Sequence, residues 1–177
     1  MAETRITFAG FGGQGVLFTG KVVSYAGLLD GKEVSWMPSY GPEMRGGTAN
    51  CGVCISDKLI GTPVVTEPDI LVAMNAPSFD KFIDSVKPGG KVIVDSSLVD
   101  RETDRTDVEV FKIPATQLSK DEDLSKLANM ILLGKLLAVS GFTSEETLKT
   151  ALEKSVPERN RHLVEPNMRA IKLGASN

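Results

Sequence analysis

A chain of 177 residues with 41% apolar and 24% charged residues suits one domain spanning 1–177. At that length roughly 70% of the unfolded surface is buried on folding, so no disulfide or metal staple is required. Twenty basic against 23 acidic residues give a net charge of −3. That excludes the basic stripe of a nucleic-acid reader. No run of 18 apolar residues offers a membrane span, and Glu3 and Arg5 interrupt the stretch a signal peptide would need. With only two cysteines, the expectation is a soluble, cytoplasmic protein with no nucleic-acid or membrane partner.

The chain opens with an apolar-alternating run, Arg5 to Ala9, which predicts a strand. Gly10-Phe11-Gly12-Gly13-Gln14-Gly15 follows, and Val16 to Leu29 then reads as a helix stopped by Gly31. Strand, glycine turn and helix form the first unit of a Rossmann-like sheet. Glu33 to Met37 is a second strand. Pro38 to Gly47, with two prolines and three glycines, is a loop leaving that strand at the ligand-binding edge of the sheet. Thr48 to Ser56 is a third strand, and Asp57-Lys58 turns it into a hairpin arm, Leu59 to Pro63, an antiparallel excursion.

Asp69 to Met74 is a continuous apolar run, as a buried central strand should be. Asn75 to Ser78 breaks it, and Phe79, Phe82, Ile83 and Val86 recur at helical spacing. Lys87-Pro88-Gly89-Gly90 ends that helix before the strand Lys91 to Asp95, completing a βαβ unit. From Asp95 to Asp123, nine acids against four bases predict a solvated stretch. Within it lie a strand, Val108 to Ile113, and a short helix, Ala115 to Ser119. A helix from Leu124 to Val139 ends at Ser140-Gly141, and Ser144 with Glu145 and Glu146 opens another, reaching Lys154. Pro157 starts a last helical stretch, Glu158 to Leu173, which Pro166 kinks or divides. The fold class is therefore α/β: a Rossmann-like, mostly parallel sheet with helices on both faces, an antiparallel hairpin excursion and a helical C-terminus.

Gly10, Gly12 and Gly15 spell G-x-G-x-x-G. A dinucleotide site also needs an acid at the end of the second strand. Ser35-Trp36-Met37-Pro38 supplies none there, and Glu33 lies at the wrong end, so NAD or FAD is disfavoured. Two readings stay open: close packing against another chain or loop, or an anion held at the helix N-terminus. Arg45, flanked by Gly46 and Gly47, is suited to a carboxylate or phosphate; the alternative is an Arg45–Glu43 pair that stiffens the loop. Cys51 and Cys54 have C-x-x-C spacing but lie in a strand, where residues three apart face opposite ways. They read as small buried hydrophobes, since a cluster needs four thiolates. His162, the only histidine, reads as part of a solvated face. Asp95-Ser96-Ser97 either meets a ligand or caps itself. No nucleophile, base and orienting group assemble, so no catalytic residue is expected.

Together, Gly10-Phe11-Gly12-Gly13-Gln14-Gly15 and Tyr40-Gly41-Pro42-Glu43-Met44-Arg45-Gly46-Gly47 resemble the gamma subunit of 2-oxoacid:ferredoxin oxidoreductases. These act on pyruvate, 2-ketoisovalerate or 2-oxoglutarate, and the same domain occurs fused in pyruvate:ferredoxin and indolepyruvate oxidoreductases. Asp69 to Ala73, Asn129 with Leu133-Gly134, and Gly174 fit more loosely. The resemblance implies a complex that oxidatively decarboxylates a 2-oxoacid to an acyl-CoA and passes electrons to ferredoxin. It implies thiamine diphosphate, Mg, iron–sulfur clusters and CoA in that complex, and none bound by this chain. Alpha, beta and delta-type subunits are the implied partners, in a hetero-oligomer. Gly10, Gly12, Gly13, Gln14, Gly15 and Arg45 would then face those subunits or the CoA channel. Tyr40, Met44 and Met37 are the apolar side chains expected at that interface. The alternative is a stand-alone nucleotide- or anion-binding module.

Overall fold

The computed structural model describes residues 3–39 and 48–177. Six strands form one sheet: β1 (Glu3–Phe11), β2 (Glu33–Ser39), β3 (Thr48–Ser56), β4 (Ile70–Ala73), β5 (Lys91–Asp95) and β6 (Glu109–Ile113), in the order β2-β3-β1-β4-β5-β6. β1, β4, β5 and β6 run parallel. β3 is antiparallel to both its neighbours, β1 and β2. The antiparallel excursion thus exists, but β3 itself makes it. The predicted arm Leu59–Pro63 is irregular chain instead. Its exposed Leu59 and the prolines at 63 and 68 leave no alternating apolar face to pair.

β4 and β5 are covered on both sides, which is why Ile70–Ala73 reads as unbroken apolar sequence. Ile70, Val72 and Ile93 face one core, which also holds Ile6 and Phe8 of β1. Leu71, Ala73, Val92 and Val94 face a smaller one with Phe79, Ile83 and Val86. The helices are α1 (Val16–Leu29), α2 (Ala76–Phe82), α3 (Ala115–Asp121), α4 (Ala128–Ser140), α5 (Glu145–Ser155) and α6 (Val164–Ala175). α1, α4, α5 and α6 contribute to the larger core, and Phe79 and Phe82 of α2 pack into the smaller.

Three of the boundaries that differ from expectation have a local physical cause. Pro38 and Ser39 continue β2 rather than opening the loop; β2 is an edge strand, where a missing ladder donor is tolerated. α4 begins at Ala128, not Leu124, because Asp123 (φ 55°) and Lys126 (φ 68°) adopt left-handed backbone between α3 and α4. The last stretch divides at Val164, after a 3-10 segment Glu158–Leu163, and Pro166 occupies the first turn of α6, where no N–H is needed. Pro157 precedes that segment as its N-terminal flank.

Candidate functional site

Gly10 leaves β1 through a crowded corner: a Cβ there would lie 2.8 Å from Gln14 Oε1, 2.9 Å from Val16 Cγ2 and 3.1 Å from Met74 Cβ. Gly13 (φ 93°) and Gly15 (φ 79°) both need left-handed backbone, and a side chain at Gly15 would collide with the Asn129 amide. Gly12 and Gly13 are exposed. Gln14 ties the turn together. Its Oε1 accepts from Phe11 N at 2.6 Å and from Asn75 Nδ2 at 2.9 Å, while its Nε2 donates to Met74 O at 3.1 Å. The turn is thereby fastened to the carboxyl end of β4. Asn75 in turn caps α2 by accepting from Ser78 N at 2.9 Å.

From the other side, buried Asn129 in the first turn of α4 donates to Thr19 Oγ1 at 3.1 Å and to Gly15 O at 3.5 Å. Asn75 and Asn129 were not anticipated as members of this site. Both carry a legible signal: an asparagine before Ala76-Pro77 is an N-cap, and Asn129 is a polar side chain in the first turn of a mostly apolar helix.

Gly13, Gln14 and Met74 form one wall of a cleft of about 310 Å³, with Asp95, Thr116, Ser119, Lys120, Ser125, Lys126 and Asn129 among the others. The cleft lies at the carboxyl ends of β4 and β5, the edge where open α/β sheets take ligands. Asp95 is 1% exposed. Its carboxylate accepts from Ser97 N at 3.1 Å, from Thr116 N at 3.1 and 3.2 Å, and from Thr116 Oγ1 at 2.5 Å. The Asp95-Ser96-Ser97 turn therefore caps itself and the start of α3.

Arg45, together with Tyr40 and Met44, lies outside the described residues. The two ends of that segment do not: Ser39 pairs with Asn50, and Thr48 pairs with Phe11 at the start of the glycine turn. Met37, 45% exposed, and Phe11, 39% exposed, are the large apolar side chains of the described residues near this edge.

Cys51 and Cys54 are free and fully buried. Cys51 packs into the larger core, where burial pushes its thiol up to about 12. Two thiols in one strand do not suit a four-thiolate cluster. Among the described residues no group of three or more His, Cys, Asp or Glu side chains is placed to hold a metal ion. His162 is exposed on the 3-10 segment, and no described helix is long and apolar enough to cross a membrane.

Residues 5–177 match the model of the pyruvate ferredoxin/flavodoxin oxidoreductase family. The ketoisovalerate oxidoreductase subunit VorA of Methanothermobacter thermautotrophicus is 38% identical over 98% of this chain and 36% of its own length. The chain thus spans about a third of that relative. The 2-oxoglutarate synthase subunit KorC of Methanocaldococcus jannaschii is 39% identical over 96% of this chain and 91% of its own. Among solved structures, the keto/oxoacid ferredoxin oxidoreductase gamma subunit of Geobacter sulfurreducens superposes with a TM-score of 0.83. It is 32% identical, over 98% of this chain and 96% of that one. The 2-oxoglutarate:ferredoxin oxidoreductase of Magnetococcus marinus, solved with 2-oxoglutarate, coenzyme A and succinyl-CoA bound, superposes with a TM-score of 0.88. It is 27% identical, and this chain covers 31% of that one. The chain belongs to the pyruvate ferredoxin/flavodoxin oxidoreductase family.

Proposed function

We propose that this chain serves as the gamma-type subunit of a 2-oxoacid:ferredoxin oxidoreductase complex, with residues 1–177 forming one domain of that type. Its role is assembly and the shaping of the acyl-CoA-forming site, and the chemistry resides in sister subunits of alpha, beta and delta type. The observation that carries this reading is the likeness over 98% of the chain to a solved gamma subunit. Thiamine diphosphate, Mg and iron–sulfur clusters belong to the sister subunits in this reading. Two buried cysteines provide no cluster ligands here, so no electron-transfer step is assigned to this chain. Ferredoxin meets the complex and not this subunit.

Gly10, Gly12, Gly13, Gln14 and Gly15, with Arg45, are assigned to the face that meets those subunits and borders the CoA channel. Support comes from the exposure of Gly12, Gly13 and Phe11 at the turn, and from the Phe11–Thr48 pairing, which brings the chain just after Arg45 to the same edge. The test is co-purification of this chain with the sister subunits, wild type against Arg45→Ala. We expect weakened assembly and reduced acyl-CoA formation in the variant. Unchanged assembly and turnover would remove Arg45 from the interface. Failure of the wild-type chain to associate would remove the subunit role itself.

A further inference from the structure

The sheet ends on one side in β2, which pairs along its whole length with β3 and has no strand on its outer side among the described residues. Such an edge is a row of backbone donors and acceptors that a further strand can complete, and bare edges are ordinarily guarded by lysines, bulges or short length. β2 has no lysine, its register with β3 runs unbroken from Glu33 to Ser39, and Pro38, near one end, is its guard. Trp36 stands at its middle, 37% exposed, on the α1 side of the sheet, where a Cβ on Gly20 would lie 3.1 Å from the indole Nε1. The flank of α1 next to Gly20 is apolar too. Leu17 and Leu28 share one stripe there with Lys21, and Leu28 is 56% exposed. Lys21 is the only charged residue between Val16 and Leu29, and its ammonium lies over the Tyr25 ring at 5.7 Å. A helix so poor in charge has the composition of one covered on every side.

We propose that β2 pairs edge to edge with β2 of a second copy of this chain, antiparallel about a twofold axis through the sheet at Trp36. Trp36 is the middle residue of Glu33–Ser39, so a twofold there pairs the strand over its full length. Glu33 then faces Ser39 of the second copy, Val34 faces Pro38, Ser35 faces Met37, and the two Trp36 side chains form an aromatic cross-strand pair. Glu33 is the only charge in the strand, so no like charges oppose each other. The edge offers an unlike partner no other charge to read, whereas its own copy matches it in length, polarity and register. Both α1 helices lie on the same face of the joined sheet, with their Leu17 and Leu28 flanks turned towards the seam. The dimer forms from this chain alone, so it does not rest on the subunit role and its test is independent of assembly.

Analytical ultracentrifugation of the full chain over a dilution series, with tryptophan emission read on the same samples, tests this. Trp36 is the only tryptophan in the chain, so its emission reports the seam directly. A concentration-dependent dimer is expected, with emission moving to longer wavelength as dilution separates the copies. Trp36→Lys, which sets two ammonium groups opposite each other, should weaken association by about tenfold or more. Leu28→Glu leaves the tryptophan in place and should weaken association by a smaller factor, moving the emission change to higher concentration. Ser39→Glu, facing Glu33, should weaken the dimer and Ser39→Lys should tighten it; equal effects of the two overturn the pairing about Trp36. Leu98→Glu, the same kind of change at an exposed leucine just after β5, should leave association unchanged. A melting curve on each variant confirms that folding is retained. A wild-type chain that sediments as a monomer, with emission that dilution leaves unmoved, overturns the proposal. If that emission then shifts when sister subunits are added, the edge belongs to them and not to a second copy.

Discussion

Gln14 is positioned to make three hydrogen bonds that bridge the glycine turn, β4 and the cap of α2. Replacing it with leucine keeps the bulk and strands Phe11 N, Met74 O and Asn75 Nδ2. The expected cost is about 1–3 kcal/mol, read by denaturant titration. Gly13 and Gly15 separate backbone strain from crowding. At Gly13 nothing lies within reach of a Cβ, so Gly13→Ala should cost only the left-handed penalty of about 1–2 kcal/mol. Gly15→Ala should cost more, and Asn129→Ala in the same molecule should recover part of the difference, because that amide is what the new methyl meets.

Cys51 gives a pH signature. Its thiol lies near 12 when folded, against about 8.5 for an unfolded cysteine. A raised value in the native state stabilises the fold below about pH 9, and that contribution is lost as pH rises towards 12. The denaturation midpoint should therefore fall over that window, and fall less in Cys51→Ala. In native protein near pH 8, iodoacetamide should leave Cys51 unmodified until denaturant is added.

At the scale of elements, α4 and α6 pack backbone against backbone. A Cβ on Gly134 would strike the Ile171 carbonyl, and one on Gly174 would strike the Ile131 carbonyl. Each glycine sits against the other helix's backbone, so the two backbones are nearly in contact. In an isolated helix Gly→Ala gains up to about 1 kcal/mol. Here the helices must separate, and overpacking of this kind costs about 1–3 kcal/mol or more. Gly134→Ala and Gly174→Ala should each lower the melting temperature despite their better helix propensity, and a stabilised variant would show that the helices can slide apart cheaply. α1 and α5 both pack into the larger core and are also joined by polar contacts: Thr143 and Thr147 hydroxyls donate to Asp30 at 2.6 and 3.0 Å, fastening the end of α1 to the start of α5.

For the whole molecule, the described residues place a cleft at one sheet edge, and in the proposed role the chemistry belongs to sister subunits. The purified chain alone should therefore oxidise no 2-oxoacid when supplied with CoA and an electron acceptor, and activity should appear when the sister subunits are added back. Turnover by the chain alone would contradict a supporting role. NAD should leave its melting temperature unmoved, since the carboxyl end of β2 carries Met37, Pro38 and Ser39 and no acid for a ribose. A true site at a hundredfold excess over Kd would stabilise the chain by about 2.7 kcal/mol.

Local chemistry alone determined the opening unit of strand, glycine turn and helix, and α1 and β3 fall where the residues place them. It also determined the burial of the two cysteines; the family was legible as a resemblance, because paired motifs at a set spacing need no coordinates. Tertiary structure alone decided where β3 goes. Its insertion between β1 and β2 is a long-range pairing that no local period encodes. It also decided the start of α4, where two left-handed residues outweigh a helical apolar pattern, and the cleft itself. Gln14, Asp95 and Asn129 come from distant stretches of chain. Only the packing of α3, α4 and the glycine turn against one sheet edge brings them together.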